Sequence, residues 1–145
     1  LAGKIACYAQ GFTMLAQASD TYQWGLPMPD VAKVWREGCI IRSAMLNDMS
    51  EALEASPGKN LMFAPFFADK LRSSHAGLRQ VVGHAALTGN PVPALSAGLA
   101  YFDMMRTGRS TANMIQAQRD FFGAHTFERI GEDGAHNGPW NGVDG

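Results

Sequence analysis

Apolar residues recur at steps of three and four positions through most of the chain, and glycine or proline interrupts each run. The first run contains Ile5, Tyr8, Phe12 and Leu15, and it ends at the sequence "WGLPMPD". Steps of three and four place side chains on one face of an α-helix. No stretch shows the strict alternation of apolar and polar residues that marks a half-buried strand. The pattern therefore predicts an all-α fold with about six or seven helices.

The same pattern predicts where the helical part of the chain ends. We expect a multi-helix bundle domain over residues 1–130, whose last helix begins near Ser110 or Thr111 and runs to about Phe122. Residues 131–145 contain five glycines and one proline and show no helical period, so we expect an extended tail there. In the first helix, Cys7 and Met14 add a second apolar face, which predicts burial on two sides.

The composition of the chain excludes some classes of partner and location. The 145 residues are 46% hydrophobic and 17% charged, and this low charge suggests that another chain or domain covers part of the surface. A net charge of −1 argues against nucleic-acid or anionic-membrane partners, and no apolar run reaches the length of a membrane span. Cys7 and Cys39 form no disulfide framework, so a reducing, cytoplasmic location is expected. The chain begins with Leu1 inside a helical pattern, and we expect it to be a piece of a longer protein.

Motifs that would mark a cofactor, a metal or a nucleophile do not occur in the sequence. No histidine has a partner at metal-ligand spacing, and no G-x-G-x-x-G follows a strand pattern. A P-loop and a G-x-S-x-G nucleophile elbow do not occur either. We therefore expect no Rossmann domain, no metal site and no cofactor cradle on this chain.

The stretch "MIQAQRDFFGAHTFE" contains the strongest candidate site residues, Arg119 and His125. A helix that ends at Gly123 leaves His125 in the following turn, where it can fold back toward the helix end. An arginine in the last turn is favourable beside the negative end of the helix dipole, so Arg119 could serve only as a cap that pairs with Asp120 or Glu128. Alternatively, its guanidinium offers a fork of donors to a phosphate or carboxylate, and the imidazole adds a second donor.

Five segments carry a resemblance to a known family. They are "KIACYAQGF", "VWREGCIIRS", "YFDMMR", "IQAQRDFFGAHTFER" and "HNGPW". In this order they resemble the C-terminal helical domain of decarboxylating 6-phosphogluconate dehydrogenase over essentially the whole chain. The runs W-R-x-G-C-I-I-R-S and Q-A-Q-R-D-x-F-G-A-H are long enough to make a chance match untenable.

The resemblance implies an activity and an assembly. The family uses NADP to oxidise 6-phosphogluconate at C3, a reaction of the pentose phosphate pathway and of gluconate utilization. Loss of CO2 then gives ribulose 5-phosphate, and no metal is required. The enzyme is typically a homodimer whose tail passes into the partner subunit. The match of Q-A-Q-R-D-x-F-G-A-H implies that Arg119 and His125 bind the substrate of the neighbouring subunit, with Arg119 on its phosphate.

The family's catalytic lysine and glutamate are missing from these 145 residues. They belong to a K-x-x-H-N-x-x-E motif, and "DGAHNGPWN" is similar only at its centre: Asp133 stands at the lysine position and Trp140 at the glutamate position. We therefore expect no catalytic residue here, and an isolated chain that is inactive. The tail also departs from the family's His-Thr-x-Trp pattern, because Gly138 and Pro139 precede the tryptophan.

Two other hypotheses remain. The chain could be a non-catalytic helical dimerisation or interaction domain with the same fold, in which Arg119 and His125 are idle. It could also be the helical domain of a related β-hydroxyacid dehydrogenase that acts on a non-phosphorylated acid. The second is weaker, because that group lacks the Q-A-Q-R-D-x-F-G-A-H run.

Overall fold

A computed structural model describes residues 1–140 of the chain, which divides into two compact units at Asp103 and Met104. Among these residues there are six α-helices, a short 3-10 helix at Leu61–Phe63 and one two-stranded sheet. The helices are α1 (Ala2–Thr21), α2 (Met28–Val34), α3 (Met45–Ala55), α4 (Pro65–Leu87), α5 (Pro93–Arg106) and α6 (Ala112–Gly123). The strands are β1 (Phe127–Arg129) and β2 (Glu132–His136). The predicted all-α class is confirmed.

The first unit is built around an apolar core that α1, α3, α4 and the 3-10 helix supply. Its fully buried side chains include Ile5, Leu46, Met49 and Phe67, which come from three different helices. Pro65 occupies the first turn of α4, where its fixed φ suits the helix and its missing N–H costs no hydrogen bond. Helices α1, α3 and α4 therefore each bury one apolar stripe against the others, as the three- and four-residue spacing requires.

The expected two-sided burial of α1 is wrong within this chain. Ile5, Ala6 and Phe12 lie in the core, whereas Cys7 is exposed and Met14 is 68% exposed. The second apolar face of α1 is therefore largely exposed among the described residues, and its burial would need a surface from elsewhere.

Asn60 joins three elements of the first unit through its side-chain amide. Its Nδ2 atom donates to Thr13 Oγ1 at 2.9 Å and to Tyr101 OH at 2.6 Å. Its Oδ1 atom accepts from the backbone N–H of Met62 at 2.9 Å, which caps the 3-10 helix. One amide therefore fixes the 3-10 helix against α1 and α5.

The second unit, described over residues 104–140, is organised differently. It contains α6, the antiparallel pair β1 and β2, and the residues that follow, and Asp120 is its only buried side chain among those described. The hairpin was not predicted, because "FERIGEDGAH" is mostly polar and lacks the alternation that identifies a half-buried strand. Gly131 turns the chain between the strands at φ +84°, a region that glycine enters without steric cost.

Truncation of Phe67 tests the core of the first unit. Phe67→Ala leaves a cavity at a fully buried position, and we expect the free energy of unfolding to fall by about 3–5 kcal/mol. The matched control is Phe66→Ala, because Phe66 is 43% exposed and contacts Phe67 only edge to face. That change should cost about 0.5–1.5 kcal/mol. Urea unfolding followed by circular dichroism measures both, and equal losses would contradict this description of the core.

Candidate functional site

Arg119 and His125 lie on either side of the end of α6. Arg119 lies just before the last turn of the helix, which ends at Gly123, one residue beyond the predicted end near Phe122. Ala124 then adopts a left-handed conformation, with φ 49° and ψ 42°, and its N–H donates to the backbone oxygen of Asp120 at 2.8 Å. This left-handed residue ends the helix and takes His125 off the helix axis.

The imidazole of His125 folds back onto the end of α6. A Cβ atom on Gly123 would lie 2.8 Å from Nε2 and 2.9 Å from Cδ2 of His125, closer than carbon and these atoms can approach. A larger residue at this position would therefore displace the ring from where it lies. Arg119 and Gly123 are four residues apart in the helix and therefore share a face. The ring of His125 thus lies on the helix face that carries Arg119.

Both candidate side chains are exposed and available to a ligand. Within residues 1–140, neither Arg119 nor His125 forms a hydrogen bond or an ion pair. The pairing of Arg119 with Asp120 or Glu128, which the sequence allowed, does not occur there. Arg119 also lies outside the last turn of α6, so the helix dipole contributes little to its placement, and its N–H donors have no protein partner within residues 1–140.

Asp120 is the residue of this region that the sequence did not single out. Its side chain is 2% exposed, and its carboxylate accepts hydrogen bonds from three N–H groups. Thr126 N donates to Oδ1 at 2.9 Å, Gly138 N donates to Oδ2 at 2.7 Å, and Trp140 Nε1 donates to the same Oδ2 at 2.6 Å. A carboxylate removed from water is stable when donors of this kind surround it.

The surroundings of Asp120 keep it ionised. The N–H of Gly138 lowers the pKa of the carboxyl group most, and the indole N–H of Trp140 and the N–H of Thr126 lower it further. Burial acts in the opposite direction, and the charge of His125 adds a smaller lowering. The net pKa lies below the ordinary value of an aspartate, because the donors favour the charged form more than desolvation disfavours it.

Trp140 seats the end of the described chain against α6. Its indole lies edge-on to Phe121, with ring centroids 5.7 Å apart. It also lies so close to Gly138 that a Cβ there would come within 2.3 Å of the ring. The glycine and proline that precede the tryptophan therefore allow a tight approach that a larger residue at position 138 would prevent.

A cleft of about 540 Å³ opens elsewhere in the second unit. Arg109, Gln116, Arg129 and Trp140 line it, and neither Arg119 nor His125 does. Its lining is mostly apolar although it includes two guanidinium groups, and Arg129 already pairs with Glu132 at 3.3 Å. The cleft is therefore separate from the pair of residues that the sequence singled out.

Residues 1–140 offer no candidate for a metal centre or a membrane-spanning helix. No three histidine, cysteine, aspartate or glutamate side chains come together there as metal ligands would. No helix in the same part of the chain combines the length and apolar character needed to span a membrane.

Comparisons with known proteins agree with one another. Residues 1–140 match the family model described as 6-phosphogluconate dehydrogenase, C-terminal domain. The chain is 49% identical over 140 residues to an NAD(+)-dependent, decarboxylating 6-phosphogluconate dehydrogenase of Bacillus subtilis, covering 96% of this chain and 30% of that protein. It is 45% identical over 139 residues to the decarboxylating enzyme of Escherichia coli, covering 95% and 30%. An NADP(+)-dependent enzyme of Bacillus subtilis is 44% identical over 138 residues, covering 94% and 29%.

A solved structure gives the same result. The chain superimposes on Plasmodium falciparum 6-phosphogluconate dehydrogenase with a TM-score of 0.88 and 36% sequence identity, covering 96% of this chain and 30% of that one. That enzyme is described in its apo form, with its cofactor NADP+ and with its substrate 6-phosphogluconate. The chain thus spans about 30% of the length of these relatives.

Acidification tests the role of Asp120. Because its folded-state pKa is lowered, its contribution to stability is fully present above the unfolded value of about 3.9 and is lost as the pH falls through the folded value. We expect Asp120→Asn to reduce the protection of the backbone amides of residues 124–140 at neutral pH. The difference from wild type should shrink below about pH 4 and vanish below the folded-state pKa.

Hydrogen–deuterium exchange, corrected for the intrinsic pH dependence of the rates, measures this protection. The control is Asp69→Asn, which removes an exposed carboxylate that pairs with Arg72 on α4. It should leave residues 124–140 unaffected. A difference between Asp120→Asn and wild type that grows on acidification would contradict the lowered pKa.

Proposed function

Because this chain belongs to the 6-phosphogluconate dehydrogenase family and matches its C-terminal domain, we propose that it is the C-terminal portion of a decarboxylating 6-phosphogluconate dehydrogenase. The complete enzyme oxidises 6-phosphogluconate at C3 and releases CO2 to form ribulose 5-phosphate. In this proposal residues 1–130 belong to its C-terminal helical domain and residues 131–145 to its tail, of which positions 141–145 lie outside the described residues.

In this proposal Arg119 and His125 bind the substrate, and the observation that carries it is their shared helix face. A phosphate monoester has roughly −1.5 to −2 charge near neutral pH. A planar guanidinium suits such an anion better than a lysine ammonium, because it offers two parallel N–H donors. Arg119 meets the phosphate, and His125, whose ring lies over Gly123, adds a further donor.

The pocket that these two residues complete belongs to a second copy of the chain. Residues 104–140 leave many large apolar side chains exposed: Met104, Met105, Met114, Ile115, Phe121, Phe122 and Ile130. Such a surface needs a cover, and in a homodimer the partner subunit provides one. The substrate ligands are then delivered across the subunit boundary, and a complete site forms only on assembly.

Another part of the enzyme holds the cofactor, which we propose to be NADP. The only strands among residues 1–140 form an antiparallel hairpin, and no glycine-rich strand-to-helix turn follows it. The pyrophosphate cradle of a dinucleotide therefore has no counterpart here. An NAD(+)-dependent and an NADP(+)-dependent relative resemble this segment at 49% and 44% identity, as expected of a region that does not select the cofactor.

We propose a cytoplasmic location for the enzyme.

Removal of the guanidinium tests the assignment. In the full-length enzyme, Arg119→Ala should raise the KM for 6-phosphogluconate by about one to two powers of ten, since a charge-assisted contact is worth roughly 1.5–3 kcal/mol. The KM for the cofactor should stay unchanged. Arg119→Lys keeps the charge but loses the fork, and it should give an intermediate KM.

The matched control is Arg72→Ala, which removes another exposed arginine, from α4. Steady-state kinetics on the purified enzymes measures all three. An Arg119→Ala enzyme with unchanged KM for 6-phosphogluconate would favour the alternative of a non-catalytic dimerisation domain.

The 145-residue chain by itself should not turn over 6-phosphogluconate. It lacks the lysine and glutamate that the family uses as base and acid, since Asp133 and Trp140 stand at the nearest matching positions. Reduction of NADP or NAD in the presence of 6-phosphogluconate, followed by absorbance, measures this, with the full-length enzyme as positive control. Turnover by the purified chain would refute the division of roles proposed here.

A further inference from the structure

His125 lies between two N–H groups that both donate to Asp120. The N–H of Ala124, on one side, donates to the backbone oxygen of Asp120 at 2.8 Å. The N–H of Thr126, on the other side, donates to Oδ1 of the same residue at 2.9 Å. The backbone position of His125 is therefore fixed from both sides by a single residue of α6.

The other oxygen of the carboxylate holds the tail. Oδ2 accepts from the N–H of Gly138 and from the indole N–H of Trp140, residues that lie 18 and 20 positions further along the chain. The carboxylate thus links two segments that are distant in sequence: the turn that carries His125, and the tail that ends the described chain.

We propose that Asp120 is a positioning residue that couples the seating of the tail to the position of His125. The inference rests on the function proposed above, in which His125 binds 6-phosphogluconate. Trp140 then influences substrate affinity although its contacts are with α6, with Gly138 and with the carboxylate of Asp120.

The backbone around His125 explains why such a clamp is needed. Ala124 has φ 49° and Thr126 has φ 60°, and both lie in the left-handed region that residues with a Cβ avoid. For a β-branched residue such as threonine this conformation is especially unfavourable. The turn keeps this shape because surrounding contacts impose it, and the bonds to Asp120 are the ones on either side of the imidazole.

The negative charge of Asp120 is the second feature that links the tail to His125. The carboxylate of Asp120 is satisfied by N–H groups and forms no ion pair within residues 1–140. Arg119, its neighbour in sequence, is exposed and keeps its donors for a ligand. If the tail left, Oδ2 would lose both of its donors and water would replace them, so the carboxylate would no longer be held in one orientation. The bond from Oδ1 to Thr126 would weaken as a result.

A double-mutant cycle in the full-length enzyme tests the coupling. Trp140→Phe keeps an aromatic ring beside Phe121 but removes the indole N–H together with part of the ring. It is milder than Asp120→Asn, which disturbs all three bonds to the carboxylate. We expect Trp140→Phe to raise the KM for 6-phosphogluconate by ~3–10-fold, within the range of couplings inside one hydrogen-bond network. The KM for the cofactor should not change.

Repeating Trp140→Phe in two variant enzymes, His125→Ala and Arg119→Ala, distinguishes a positioning role of Trp140 from general structural damage. In His125→Ala enzyme, Trp140→Phe should raise the KM no further, because the group it positions is gone. In Arg119→Ala enzyme it should keep its full effect, because α6 itself holds the arginine. The control is Trp24→Phe, since the indole N–H of Trp24 makes no hydrogen bond among the described residues. That enzyme should match wild type.

The outcomes separate the two proposals. If His125→Ala raises the KM but Trp140→Phe leaves it unchanged, or raises it equally in both backgrounds, the coupling is wrong and the proposed function stands. If His125→Ala leaves the KM unchanged, the substrate-binding role of His125 fails and the coupling fails with it. Loss of the Trp140→Phe effect in the His125→Ala background alone supports the inference.

Discussion

Three N–H groups converge on the carboxylate of Asp120, and the order of the described chain after α6 depends on them. Residues 104–140 bury no large apolar side chain, so the hydrophobic effect that organises the first unit contributes little within this segment. A buried anion must be satisfied, and the donors that satisfy it come from a turn and from a tail that no apolar contact alone would bring together. The carboxylate of Asp120 therefore holds the segments of the second unit together, as the apolar core does in the first unit.

Helices were predictable from the sequence because their determinants are local. The three- and four-residue spacing of Ile5, Phe12 and their successors identified α1, and Gly123 placed the end of α6 within one residue of the expected position. The resemblance singled out Arg119 and His125, and residue spacing gave the condition under which His125 leaves the helix. These inferences needed only the residues that lie within one or two turns of each other.

Asp120 and the hairpin were missed because their determinants are not local. Nothing in the sequence indicates that the N–H groups of Gly138 and Trp140 return to a residue 18 to 20 positions earlier. One signal was present: an aspartate in the last turn of a helix faces the negative end of the dipole, so its presence there calls for a compensating set of donors. The exposed second face of α1, around Met14, shows the converse case, since an apolar pattern predicts burial without saying which chain supplies the cover.

The left-handed torsions of Ala124 and Thr126 have a consequence for motion. Such a conformation costs roughly 1–2 kcal/mol per residue, so an unrestrained turn would relax to a different shape instead of fluctuating about this one. Release of the tail would then move the imidazole of His125 to a different position. A ligand that binds more tightly when the tail is seated on Asp120 would in return stabilise the seated tail, because linkage between two equilibria acts both ways.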